Sequence, residues 1–264
     1  MIRKPIVAGQ FYEENADKLK EEIKRFLDHV KKEKNAIGAI SPHAGYSFSG
    51  RCAAYAYTSI DDAELYIILG FSHSGFPASI SLDDFETPLG IVKNDNEFGK
   101  RLIENGLKED KKSHNNEHSI EVQLPFLQYV KKDIKFIPVF VDENYEKIAD
   151  IIKKTIKETN RKAVIIASSD FTHYGFNYGY FPFYVNVKEN MHNLDKGAIR
   201  LIEDNNVKGF LDYCERTNAT ICGKYPIACL MKILNKKGKL LKYYTSGDIT
   251  GDYGSAVGYA AIIF

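Results

Sequence analysis

Apolar and polar positions along the chain follow two different rhythms. Over residues 15–33 the apolar side chains Leu19, Ile23, Phe26, Leu27 and Val30 recur at helical spacing, with Lys and Glu on the other faces. This predicts an amphipathic surface helix. Residues 36–41, 65–70 and 163–168 are short, largely apolar runs that end in small polar residues, the pattern of strands covered on both faces. Helical patterns at 98–107, 119–130, 145–158, 189–203 and 225–234 and a further strand at 135–141 lie around them. The chain closes with strand-like segments 239–245 and 255–264 joined by a Gly-rich turn, which can pair as a hairpin or lie apart. Alternation of this kind predicts an α/β fold, a central mixed sheet flanked by helices.

At 264 residues and 44% hydrophobic content, the chain can bury a substantial core. No Pro/Ser-rich linker, low-complexity stretch or repeat interrupts it, so residues 1–264 are expected to form a single domain. Lys and Arg number 36 against 35 Asp and Glu, so there is no long-range field to gather nucleic acid or anionic lipid. No apolar stretch approaches the roughly 20 residues of a membrane span, and Met1 is not followed by a secretory h-region. A soluble cytoplasmic protein is expected. The four cysteines show neither a CxxC pair nor the density of a disulfide scaffold, and read as reduced thiols.

Each of the three buried-strand candidates is followed by a histidine: Ser41-Pro42-His43-Ala44-Gly45, Phe71-Ser72-His73-Ser74-Gly75 and Ser169-Asp170-Phe171-Thr172-His173. Ligands bind beyond the carboxyl ends of strands in open α/β sheets, so these histidines should converge on one edge. A metal is the simplest reason to gather neutral imidazoles, whose nitrogens suit zinc, iron, copper and nickel. Asp170 and His173 can serve as ligands or as an acid/base pair beside the metal, and Asp170 alone also suits a helix or turn cap. In Asn116-Glu117-His118-Ser119-Ile120-Glu121, Glu117 and Ser119 resemble helix N-terminal chemistry, and His118 is a second-rank site candidate. His29, His114 and His192 sit among charges and are expected at the surface.

Cys52 and Cys229 lie in apolar settings and read as core residues. Cys222 precedes Gly223 in a loop leading into a helical segment, where a helix N-terminus or a metal can stabilise a thiolate. The stretch from Gly247 to Gly258 runs into a strand and matches neither GxGxxG nor GxxxxGK[ST], so a turn is expected rather than a nucleotide site. There is no GxSxG elbow.

Across nearly its whole length the chain resembles the Memo family, structurally related to class III extradiol ring-cleavage dioxygenases. The resemblance is carried by residues 3–12 (RKPIVAGQFY), Pro42-His43-Ala44-Gly45-Tyr46, Gly70-Phe71-Ser72-His73, residues 116–121, residues 168–174 (SSDFTHY), and the closing Gly251-Asp252 with residues 255–260 (SAVGYA). It implies a fold like the dioxygenase catalytic subunit, metal ligation by His43, His73 and Cys222, and Asp170 and His173 as polar residues of the same pocket. Relatives often carry proline where this chain has Phe71. The dioxygenases use a carboxylate as third ligand, so two imidazoles and a thiolate are a departure in softness and charge. The family further implies a radical-SAM protein as system partner in prokaryotes, and binding of phosphotyrosine peptides in animals.

Three functions fit these residues. The first is a non-haem oxidoreductase with Fe(II) or copper on His43, His73 and Cys222, open to oxygen and a small aromatic or anionic substrate. There His173 is the general base, since imidazole as a side chain suits proton transfer near neutrality, with Asp170 to orient it, and His118 stands in reserve. The second is a non-catalytic module that binds a phosphorylated or acidic peptide or a partner protein through the same pocket. The third is a zinc hydrolase, disfavoured by the lack of an HExxH helix.

Overall fold

The structure is a computed structural model that describes residues 1–28, 30–31, 33 and 35–264. Strand β1 (Ile2–Arg3) leads to α1 (Ala16–Leu27), whose first turn is capped by the Asn15 side chain accepting from the N–H groups of Asp17 and Lys18. The helix stops at Leu27, short of residue 33, where the apolar stripe gives way to charged positions. His29 lies outside the described residues. Next come β2 (Gly38–Ser41), α2 (Tyr46–Ser59), β3 (Leu65–Gly70), β4 (Ser79–Ile80), β5 (Asp84–Thr87), β6 (Gly90–Asn94), α3 (Asn96–Glu104) and α4 (Lys111–Asn115). A 3₁₀ turn (Glu121–Gln123) precedes α5 (Leu124–Val130), so the helix expected over 119–130 begins late and in two pieces. Then follow β7 (Lys135–Phe140), α6 (Tyr145–Thr159), β8 (Ala163–Ser168), β9 (His173–Gly175), α7 (Val187–Glu203), α8 (Val207–Thr217), α9 (Lys224–Leu234), β10 (Lys239–Thr245), α10 (Ser246–Thr250) and β11 (Ser255–Ile263).

The strands form one mixed sheet in the order β1-β5-β6-β7-β3-β8-β2-β11-β10, with β4 added to β7 and β9 to β11. From β6 to β2 the pairing is parallel. β11 runs antiparallel to β2, and β10 and β11 pair antiparallel, the first of the two arrangements open to the C-terminal segments. Alternate residues of the central strands serve opposite faces. Tyr66, Ile68, Val164 and Ile166 join Leu19 of α1, Tyr57 of α2 and Phe126 of α5 in one core. Ile67, Leu69, Ile165 and Ala167 join Phe98, Ile152, Ile199, Phe210 and Leu230 from α3, α6, α7, α8 and α9 in the other. Each Val, Leu, Ile or Phe side chain among them contributes about 1.5–3 kcal/mol by leaving water, which is why these strands read as continuous apolar runs.

Because β8 lies between β3 and β2, the three strands that precede the histidine motifs are adjacent. Ser41 pairs with Ser168, and Leu69 with Ala167. Their carboxyl ends are therefore level, and the loops leaving them share one edge. No helix among the described residues is long and apolar enough to cross a membrane.

Candidate metal centre

His43 and His73 leave the ends of β2 and β3, and the segment 117–120 is laid against the end of β3. Gly70 permits that approach: a Cβ there would stand 2.6 Å from Ile120 Cγ1 and 2.9 Å from Ser119 Oγ. Ser119 Oγ donates to the carbonyl of Phe71, fixing the segment in place. The result is a trio of imidazoles. His73 and His118 stack with ring centroids 4.5 Å apart, and His43 stands edge-on to both, at 5.5 and 5.6 Å. One ring nitrogen of each lies within 4.8 Å of the other two. Sequence reasoning ranked His118 behind the others; the structure puts it among them.

Hydrogen-bond partners decide which nitrogens are free. Ser168 Oγ donates its single proton to the Ser119 carbonyl, 2.5 Å away, and accepts from Gln123 Nε2. His43 Nδ1, 2.9 Å from that oxygen, must therefore be the donor, which leaves Nε2 with a lone pair. His73 Nδ1 lies 2.8 Å from Glu117 Oε1, the carboxylate–imidazole contact that presents the opposite nitrogen to a metal. His43 is buried and His118 half-buried, while His73 has 39% of its side chain exposed. Burial, followed by the neighbouring imidazoles, holds the His43 ring well below its ordinary pKa, and burial and His73 lower His118. Neutral imidazole is the ligating form. The donor set thus fits a transition metal in both tautomer and charge.

Cys222 lies just before α9 and lodges its Sγ 3.4 Å from His43 Nε2, within reach of the Asp170 N–H at 3.2 Å. Two donors on one first-row ion sit roughly 3.5 Å apart, so the thiol and His43 have the spacing of shared ligands. Burial and then Asp170 push the Cys222 thiol far up, so free of metal it is a neutral S–H, which the Asp170 carbonyl at 3.5 Å is placed to accept. Cys222 adjoins one imidazole and is not part of the 4.8 Å trio.

Asp170 and His173 face the same pocket, about 490 Å³ in volume. The Asp170 carboxylate accepts from the N–H groups of His43 and Ala44, at 2.8 and 3.4 Å, and so caps the turn that carries His43. Burial raises its pKa, against the pull of His173 and those two N–H groups. His173 opens β9 instead of lying in a loop, and its Nδ1 donates to the Thr220 carbonyl at 3.0 Å. Thr220, not Asp170, is the hydrogen-bond partner that orients this ring. Its Nε2 is left as a proton acceptor.

A family model described as Memo-like protein matches residues 3–263. The chain is 38% identical to a MEMO1 family protein of Methanosarcina mazei, covering 99% of this chain and 98% of the relative. It is 37% identical to MEMO1 family proteins of Archaeoglobus fulgidus and Pyrococcus furiosus, with 100% and 99% coverage in each case. This chain belongs to the Memo family.

In this Memo chain the supporting residues Gln123 and Thr220 escaped sequence reasoning, while Glu117 was read as helix N-terminal chemistry and Ser168 only as part of the 168–174 motif. Their roles arise from contacts 44 to 125 positions distant in sequence. The expectation that His114 lies at the surface is also overturned. His114 is buried, not exposed, because its ring stacks on Phe140 at 3.8 Å while the charges of Lys111 and Lys112 turn outward. His192, also expected at the surface, is partly buried and held by Asp248 at 2.8 Å. Cys52 and Cys229 are core residues, as their surroundings predict.

Proposed function

We propose that this protein is a metal-dependent oxidoreductase whose ion is held by His43, His73 and His118, with Cys222 as the neighbouring donor. The observation that carries the reading is the trio of imidazole nitrogens within 4.8 Å, set beside a pocket large enough for a small molecule. A bound redox metal would supply activation of dioxygen or of an electron-rich substrate. The residues of the chain supply the rest. Phe11, Phe48, Tyr178 and Tyr259 form aromatic walls, and Ser246, Thr250 and Ser255 offer hydroxyls. His173 Nε2 takes up a substrate proton, with the ring held by Thr220 and flanked by Tyr178 at 5.1 Å.

Among the described residues the pocket lining has no lysine or arginine, and it carries Asp170 and Asp252. This favours a small phenolic or catecholic ring over a phosphorylated or acidic peptide, which would have no fixed cation to meet. The test is elemental analysis of protein prepared without oxygen, alongside His43→Ala, His73→Ala, His118→Ala and Cys222→Ser, followed by oxygen uptake with phenols and catechols. The expected result is about one Fe(II) or copper per chain, lost in the three alanine variants and weakened in Cys222→Ser, with uptake dependent on the metal. Full retention of metal in the histidine variants would sink the site. Zinc alone with no oxygen uptake would turn the reading toward hydrolysis.

A further inference from the structure

Glu117 is buried, and its two oxygens collect four N–H groups. Oε2 accepts from the His73 main chain at 2.6 Å. Oε1 accepts from His73 Nδ1 and from the main-chain N–H groups of His118 and Ser119, each at 2.8 Å, and lies 3.5 Å from His118 Nδ1. One carboxylate therefore fixes the backbone of two imidazole-bearing residues and the ring of one. Arg3 reinforces the placement by donating to the Glu117 carbonyl at 2.6 Å and the His114 carbonyl at 2.8 Å.

We infer that Glu117 is the positioning residue of metal uptake: it keeps the proton on His73 Nδ1, so that the opposite nitrogen is free, and locks His73 and His118 in their stacked arrangement before any ion arrives. The inference rests on the proposed metal site. Glutamine at 117 has nearly the same shape but one acceptor oxygen. With that oxygen in the Oε1 place, the amide NH₂ meets the His73 main-chain N–H, donor against donor. With the amide reversed, the NH₂ faces three donors and drives the proton of His73 onto the nitrogen that a metal needs. Either way the negative charge that raises the ligand's basicity is lost. Outer partners of this kind are typically worth about 10–100-fold in metal affinity.

Cobalt(II) is the probe, because its visible spectrum reports the ligand field directly. Chelator competition should give Glu117→Gln a cobalt affinity about 10–100-fold below wild type with an altered visible band. Asp195→Asn alters another buried carboxylate, one whose partners are Thr172 and Tyr243. It should stay within about three-fold of wild type, under 1 kcal/mol. Equal affinity and spectrum in wild type and Glu117→Gln would overturn the inference, whereas absence of cobalt binding in wild type would overturn the metal site itself. If Glu117→Gln does not fold, nitrogen NMR of metal-free wild type labelled at histidine decides. The inference requires His73 protonated at Nδ1 and bare at Nε2, and the opposite tautomer refutes it.

Discussion

Glu121→Gln tests the account of how the N-terminal segment is anchored. The Glu121 side chain is fully buried and paired with Arg3 Nη1 at 2.6 Å. It also accepts from the N–H groups of Ile6 and Val7, at 3.0 and 3.1 Å, and from the Tyr12 hydroxyl at 2.6 Å. Arg3 lies over the Phe85 ring, 4.7 Å from its centre, so its charge has no route to water. Glutamine keeps one acceptor. If its oxygen stays with Arg3 and Ile6, the new NH₂ confronts the Val7 N–H, which cannot turn away. A charge-assisted hydrogen bond is worth about 1.5–3 kcal/mol, and an unsatisfied buried donor costs about 1–3 kcal/mol. The sum agrees with the roughly 3–5 kcal/mol for breaking a buried pair from one side. Urea denaturation should show that loss, with the melting temperature lower by about 10 °C. The loss should persist at 1 M salt, where exposed pairs such as Lys4 with Glu86 are screened. A loss under about 1 kcal/mol would refute the view that this pair bears the N-terminal segment.

Two further outcomes follow from buried groups near the site. Burial raises the Asp195 carboxyl from 3.8 to about 6, so between those values the folded protein holds a proton that the unfolded chain has released. That contribution is complete below pH 3.8 and is lost as pH rises through about 6, an effect on the order of 3 kcal/mol. Urea midpoints from pH 4 to 7 should therefore converge or cross in favour of Asp195→Asn as pH rises, and parallel curves would contradict the assignment. Gly70→Ala should push the segment carrying Ser119 and Ile120 away from β3 and take His118 with it. Cobalt affinity should fall by at least about ten-fold, more than an outer-partner loss at its mildest, and unchanged affinity would mean that His118 is not a ligand.

The central strands were legible because burial on both faces leaves an uninterrupted apolar run. α2 was not, since Tyr46, Ser49, Gly50, Ala53, Ala56 and Tyr57 are all buried and only a narrow face meets water, so helical periodicity is nearly erased. α8 was missed for the opposite reason: only Phe210 and Cys214 are fully buried, too thin a stripe to stand out. Strands of two residues such as β1 and β4 carry no periodicity. Within the site, strand ends announced His43, His73 and the Asp170–His173 pair. The nearness of His118 depends on what a missing side chain at Gly70 allows, and Cys222 meets His43 across 179 positions of sequence. Contacts of that kind are written in the fold and have no local spelling.

Nδ1 of His43 and of His73 is held by the protein's own Ser168 and Glu117, in contrast to small domains that fold only around their metal. Loading should proceed with little rearrangement, limited by the ion shedding its water, and a chelator should strip the protein without unfolding it. A receptacle kept ready in this way gains speed and gives up discrimination. Three imidazoles and a nearby thiol suit several late first-row ions, so the ion taken by the proposed site would be decided by supply and delivery as much as by the protein.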